Sequence, residues 1–151
     1  MARTDTASRV IEAAPSRIYR AHLEADAVAR WRAPSGMRGR VLAFEPWEGG
    51  VYRMVLEYED AAIAGKTEAN ADVFEGEFVE LAPNERIVEL IRFQSDDPAF
   101  ARPMRMTTSL EPFDGGTRVT IVAEDVPEPI TAEDHAAGMA SALANLATYV
   151  E

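Results

Sequence analysis

The chain has 151 residues, a net charge of −11 and no cysteine, and 47% of its residues are hydrophobic. These figures are typical of a single globular domain, which we assign to residues 1–151, and they exclude disulfides and thiolate chemistry. The acidic charge makes nucleic acid an unexpected partner. No segment reaches the roughly 20 apolar residues of a membrane span and the chain does not open with a signal-peptide pattern, so a cytoplasmic protein is expected.

The first third of the chain predicts a strand and two helices. Residues 8–13, "SRVIEA", indicate a short strand. In "AAPSRIYRAHL", Pro15 suits the first turn of a helix and apolar residues follow at helical spacing. A second helix, "EADAVARW", ends near Trp31 because Pro34 disfavours helical backbone at the residue before it.

Antiparallel strands follow the two helices, joined by recognisable turns. In "GGVYRMVLEYED", aromatic and aliphatic side chains alternate with charged ones, which indicates a strand with one buried face. "DVFEGEFVELAPNERIVELIRF" predicts two strands joined at "APNE". "MRMTTSLEPFDGGTRVTIVAED" predicts a hairpin whose "DGG" turn supplies positive-φ positions. The polar segment over residues 61–71 is expected to be a loop.

The last segment, "EDHAAGMASALANLATYV", predicts a long amphipathic helix. Thr131 is suited to cap it, with Asp134 three residues later. An apolar stripe then recurs at steps of four, three and four residues, through Met139, Leu143, Leu146 and Val150. The fold class is therefore α+β, in which a curved antiparallel sheet of about six to seven strands wraps around a long C-terminal helix. Because the helix is rich in alanine, we expect space between helix and sheet.

Five segments together resemble a known superfamily. They are "RVIEAAPSRIYRAHLEADAVARW", "FEPWEGGVYRM", "GEFVELAPNERIVE", "DGGTRVTIVAE" and "HAAGMASALANL". Their order and spacing resemble the SRPBCC superfamily with its helix-grip fold, which is shared with START domains and the birch-pollen allergen. Within it the chain is similar to the branch named for the C-terminal domain of the activator of the 90-kDa heat-shock protein's ATPase.

The resemblance implies a hydrophobic cavity between the sheet and the long helix, but no fixed chemistry. The family often has tryptophan where this chain has Met139, which changes the expected cavity shape. Trp31 is expected to be a gate at the cavity mouth. The residues predicted to line the cavity and bind its ligand are Trp31, Trp47, Tyr52, Met54, Leu56, Tyr58, Phe74, Phe78, Glu89, Phe93, Met104, Met106, Met139 and Leu143.

Glu89 is the acidic residue of greatest chemical interest. It lies in the apolar segment "RIVELIRF", and if it points inward, burial is expected to raise its pKa. Val88 and Leu90 compete for the inward face, and a register shift of one residue exposes Glu89. The two tyrosines of the third predicted strand, Tyr52 and Tyr58, are candidate hydrogen-bond donors to a ligand, with core packing as the alternative.

Other constellations favour structural explanations. His22 and His135 lack the spacing of a metal site and are expected to be exposed residues at helix ends, so no metal or cofactor is predicted. Four arginines, Arg30, Arg32, Arg38 and Arg40, could bind an anion, but a solvated connection between helix and strand is favoured. There is no nucleophile-elbow, P-loop or dinucleotide-binding motif, and no catalytic residue is assigned.

Three functions remain, in decreasing order of support. The first is a carrier or sensor of a small apolar or amphipathic ligand, stress-related by resemblance. The second is a cavity enzyme of the cyclase or hydratase type that uses an acid and a tyrosine. The third is a co-chaperone that contacts a heat-shock ATPase, which is less favoured because the resemblance covers only one of the activator's two domains. A homodimer is compatible with the sequence but not required by it.

Overall fold

The computed structural model describes residues 3–34, 36–59 and 71–151. Within these ranges the elements follow one another as β1 (Arg3–Ile11), α1 (Pro15–Ala21), α2 (Ala25–Trp31), β2 (Met37–Phe44), β3 (Val51–Tyr58), β4 (Ala71–Ala82), β5 (Arg86–Phe93), a short 3-10 helix (Pro98–Phe100), β6 (Met104–Phe113), β7 (Gly116–Val126) and α3 (Ala132–Val150). The predicted α+β class and the order of its elements are confirmed.

The strands form one antiparallel sheet in the order β1-β7-β6-β5-β4-β3-β2. β1 and β2 are therefore the two edge strands, and α1 and α2 lie between them in the chain. α3 packs against β1, α1 and α2. Because neighbouring strands twist relative to one another, the sheet curves around this helical layer. The arrangement is the expected helix-grip fold.

β1 is longer than the sequence predicts, and its position is shifted. The sequence indicates a strand over 8–13, whereas the structure has Arg3–Ile11, paired with β7 from Arg3 opposite Val126 to Ile11 opposite Thr117. The first residues of this strand are polar, so apolar periodicity does not reveal them. Their backbone groups bond to β7, and this tertiary pairing overrides the weak local pattern.

The predicted turns are present where the structure describes them. Asn84 lies at the β4–β5 turn with φ of 63°, and the β6–β7 turn has φ of 49° at Asp114 and 82° at Gly115. These left-handed conformations suit Asn, Asp and Gly. The loop predicted over 61–71 lies outside the described residues except for Ala71, which begins β4.

α3 is the longest helix, and its cap and its buried face follow the sequence prediction. The Thr131 hydroxyl accepts a hydrogen bond from the backbone N–H of Asp134 at 3.1 Å. The predicted apolar stripe of Met139, Leu143, Leu146 and Val150 is buried. No helix in the described part of the chain has both the length and the apolar character needed to cross a bilayer.

Candidate functional site

A cavity of about 190 Å³ lies between the inner face of the sheet, the end of α2 and the first half of α3. Its sheet wall is formed mostly by apolar residues of β3 to β7, including Phe74, Ile91, Met104 and Ile121, and also contains Asp72 and Thr108. α3 borders it with Gly138 and Ala142 as well as larger side chains. Nothing lies within 4 Å of the position that a Gly138 Cβ would occupy. Small residues on α3 therefore leave part of the volume open.

Eight of the fourteen residues predicted to line the cavity border it, and six do not. Those that border it are Trp31, Leu56, Phe74, Phe93, Met104, Met106, Met139 and Leu143. Those that lie elsewhere are Trp47, Tyr52, Met54, Tyr58, Phe78 and Glu89. Trp47 follows β2 and is 57% exposed, whereas Tyr52, Met54 and Phe78 are buried in the core. Strand alternation identifies the inward face, but it does not show which part of that face meets open space.

Glu89 belongs to a buried polar cluster with Arg32 and Tyr52. Arg32 follows the last residue of α2, and its Nη1 and Nη2 each donate to one Glu89 carboxylate oxygen at 3.1 Å. Arg32 Nη1 also donates to the Tyr52 hydroxyl at 2.6 Å, and that hydroxyl donates to Glu89 Oε1 at 2.5 Å. The fork geometry of the guanidinium suits a two-point bond to a carboxylate. The cluster joins α2 to β3 and β5.

Gly76 on β4 makes this cluster possible. Tyr52 is paired with Gly76 on the neighbouring strand, and Glu89 lies one strand further on. A Cβ at Gly76 would lie 2.2 Å from Tyr52 Cζ. The missing side chain lets the Tyr52 ring lie across β4 and bring its hydroxyl to Glu89. A glycine inside a strand often marks such a close approach.

The pKa of Glu89 in this cluster differs from the prediction. Burial raises the pKa of the Glu89 carboxyl, but the charge of Arg32 and the hydrogen bonds from Arg32 and Tyr52 lower it further than burial raises it, so the pKa lies below its ordinary value. The expected raised pKa is wrong because Glu89 has a buried cationic partner. Burial raises the pKa of Tyr52 well above 10, so its hydroxyl stays protonated.

The burial of Arg32 also differs from the prediction, since the sequence favoured a solvated connection for all four arginines. Its side chain is only 11% exposed. Burial lowers its pKa, but Glu89 and Tyr52 raise it more, and the guanidinium remains charged. Arg32 lies 5.3 Å from the centre of the Trp31 ring system and 5.5 Å from that of Tyr52, as measured from its Cζ. Aromatic faces thus cover the guanidinium and help to stabilise its charge.

His22 and Trp31 both border the cavity, and both are buried, which differs from the exposed His22 and the Trp31 gate that the sequence predicts. His22 is 4% exposed rather than at the surface, and its ring centre is 4.6 Å from that of Trp31. Trp31 is 3% exposed, and its indole N–H donates to the Ala21 carbonyl at 2.9 Å. A buried and hydrogen-bonded indole is a fixed wall, so the predicted gate at the mouth is not observed.

His135 borders the cavity near the start of α3 and belongs to a second polar group. Its Nδ1 donates to Asp5 Oδ2 at 2.7 Å, and Arg3 donates to both Asp5 oxygens at 3.0 Å. The hydrogen bond from Arg3 is the main reason why the pKa of Asp5 lies below its ordinary value. The His135 side chain is 13% exposed and is therefore not the fully exposed residue expected.

The sequence indicated some of these residues and gave no signal for others. Gly76, in the interior of a predicted strand, was a detectable sign of close packing. Arg32 carries no pattern of its own, because its partners are distant in sequence, and nothing near Asp5 points to its contact with His135. Across the described ranges, no three His, Cys, Asp or Glu side chains are grouped as an ion-binding set.

Comparison with known proteins identifies the family to which this chain belongs. The family model described as "Activator of Hsp90 ATPase homolog 1-like protein" matches residues 12–151. No curated protein matches the sequence.

A crystal structure of a protein from Chromobacterium violaceum is 34% identical, with a TM-score of 0.87 over 98% of this chain and 96% of that one. A solution structure of an AHSA1-like protein from Aeromonas hydrophila is 19% identical, with a TM-score of 0.72 over 98% and 92% of the two chains. A protein from Arthrobacter aurescens is 15% identical, with a TM-score of 0.81 over 97% and 85%. The last two show a shared fold alone. The chain belongs to the family of activator of Hsp90 ATPase homolog 1-like proteins, within the SRPBCC superfamily.

Proposed function

We propose that this protein binds a small apolar or amphipathic molecule in the cavity between the sheet and α3. The observation that carries the proposal is a volume of about 190 Å³ with a mostly apolar wall between the sheet and α3. An apolar cavity of roughly 150 Å³ is known to hold a benzene molecule. The ligand therefore has the size of one aromatic ring with short substituents. The fold of this superfamily generally binds hydrophobic ligands, which supports the same conclusion.

Burial of apolar surface supplies the affinity. Moving an apolar ligand from water into the cavity is favourable by about 25 cal/mol per Å² of buried surface. Phe74 and Met104 on the sheet and Leu143 on α3 are each nearly fully buried and border the cavity. A ligand there gains contacts with atoms that otherwise face open space.

Trp31 provides an internal reporter for the test. The chain has two tryptophans, of which Trp31 borders the cavity and Trp47 is exposed. In a Trp47→Phe background, titration with propylbenzene is expected to change Trp31 emission in a saturable way. Ala142→Phe fills the cavity from α3 and is expected to abolish that change. Ala140→Phe, on an exposed part of the same helix, is the matched control and is expected to leave it intact.

Two results would overturn the proposal. One is the absence of saturable binding in the Trp47→Phe background. The other is equal binding in the Ala142→Phe and Ala140→Phe variants, because the probe would then occupy another site. Native mass spectrometry of the protein as purified complements the titration, since a retained small molecule would identify the natural ligand.

A further inference from the structure

The buried histidine of the cavity has a defined tautomer. His22 Nδ1 lies 2.9 Å from the Ile18 carbonyl oxygen. A carbonyl only accepts, so Nδ1 carries the proton and donates. Burial lowers the pKa of His22 to about 4, so the ring is neutral near pH 7. Nε2 of His22 is therefore a hydrogen-bond acceptor.

This acceptor has no protein partner and faces open space. No side chain or backbone group among the described residues bonds to His22 Nε2. Among the described residues, every side-chain nitrogen or oxygen that is fully shielded from solvent and open space has a hydrogen-bond partner. Nε2 must therefore reach open volume, and the volume that the His22 ring borders is the cavity. A buried acceptor without a partner is costly, which favours a ligand that donates to it.

The charges around the cavity disfavour an anion in that position. Arg32 borders the cavity, but Glu89 bonds to both of its Nη atoms and compensates its charge. Two further carboxylates border the cavity: Asp72 on β4, which is buried, and Asp134 where α3 begins, which is exposed. A ligand carboxylate would place negative charge beside the lone pair of His22 Nε2. A neutral hydroxyl avoids that repulsion and supplies the missing donor.

We propose that the cavity takes a small neutral aromatic alcohol whose hydroxyl group donates a hydrogen bond to His22 Nε2. This inference rests on the proposed function and names the ligand class. It assigns the contact to His22 rather than to His135, the other histidine at the cavity. The His135 side chain is 13% exposed and water can reach it, whereas His22 is 4% exposed and its ring packs against Trp31.

The test compares 4-propylphenol with propylbenzene by titration calorimetry on the full chain. One net hydrogen bond predicts that the phenol binds the wild type about fivefold to tenfold more tightly. His22→Phe keeps a ring against Trp31 but removes Nε2, so both ligands are expected to bind with similar affinity. His135→Phe is the matched control and is expected to keep the preference for the phenol. Circular dichroism verifies that each variant is folded.

A second measurement avoids variants altogether. In long-range ¹H–¹⁵N spectra of the wild type, 4-propylphenol is expected to shift the His22 Nε2 resonance, whereas propylbenzene is not. Equal affinities in the wild type, or a preference that survives His22→Phe, would overturn the inference while leaving the proposed function intact. Loss of the preference in His135→Phe alone would also overturn it. If neither compound binds, the proposed function and the inference both fail.

Discussion

Two neighbouring regions between the helices and the sheet, the polar cluster and the cavity, differ in how their buried polar groups are hydrogen-bonded. In the polar cluster, the carboxylate of Glu89, the hydroxyl of Tyr52 and the guanidinium of Arg32 bond to one another. In the cavity the wall is mostly apolar, and Nε2 of His22 has no partner among the described residues. Burial of a polar residue therefore does not by itself mark a binding site. A buried group whose bonds are internal stabilises the fold, whereas an unpaired acceptor beside open volume can recognise a ligand.

The largest predicted effect comes from a substitution that breaks the polar cluster of Arg32, Tyr52 and Glu89. Glu89→Ala leaves the Arg32 charge buried without its carboxylate partner, and loss of one member of such a pair typically costs about 3–5 kcal/mol. We expect the free energy of unfolding, measured by urea denaturation, to fall by that amount.

An exposed ion pair in the same sheet provides the control. Arg40 Nε donates to Glu57 Oε1 at 2.8 Å, and both side chains are solvent-accessible. Glu57→Ala is expected to cost about 0–1 kcal/mol, because water already solvates both charges. Equal losses in Glu89→Ala and Glu57→Ala would contradict the structural role assigned to the cluster.

The second prediction concerns His22 in the cavity and its effect on the pH dependence of the protein's stability. The pKa of His22 is about 4 in the folded state and about 6.5 when unfolded. The unfolded chain therefore binds more protons between these values, so stability falls as pH decreases from about 6.5 towards about 4. The His22 contribution to this loss is about 3 kcal/mol.

Urea denaturation across this pH window measures the effect in the wild type and in His22→Phe. The variant has no histidine to protonate at this site, and its stability is expected to fall less steeply. Glu89, whose pKa is lowered, adds a loss below its ordinary pKa in both proteins, so the difference between the two curves isolates His22. Parallel curves would be evidence against a neutral, buried His22.

The smallest predicted effects come from replacing either Gly76 or Gly138 with alanine. Gly76→Ala places a Cβ against the Tyr52 ring, and such overpacking costs about 1–3 kcal/mol. Gly138→Ala places a Cβ in open space and removes a flexible residue from α3, which is expected to stabilise the protein by about 0.5–1 kcal/mol. Thermal unfolding of both variants measures the opposite signs. A stabilising Gly76→Ala would show that Tyr52 does not lie across β4.

The sequence predicted the elements because their signals are local. The apolar stripe of α3, the Thr131 cap and the turns at Asn84 and Asp114 depend on residues only a few positions apart, and the structure confirms them. The order of these elements, together with the five quoted segments, was sufficient to indicate the fold and the family. Of the apolar sheet residues that border the cavity, the sequence predicted Leu56, Phe74, Phe93, Met104 and Met106.

What only the tertiary structure decided is the environment of the polar residues. Glu89 is ionised because Arg32, 57 positions earlier, lies against it, and no local pattern links the two. Asp5 and His135 are 130 positions apart and meet because α3 packs against β1. The pKa and the free hydrogen-bonding capacity of a side chain depend on what surrounds it in three dimensions. The sequence alone therefore determined the fold and its apolar face, while the packing of α2 and α3 on the sheet decided which polar groups are paired and which border the cavity.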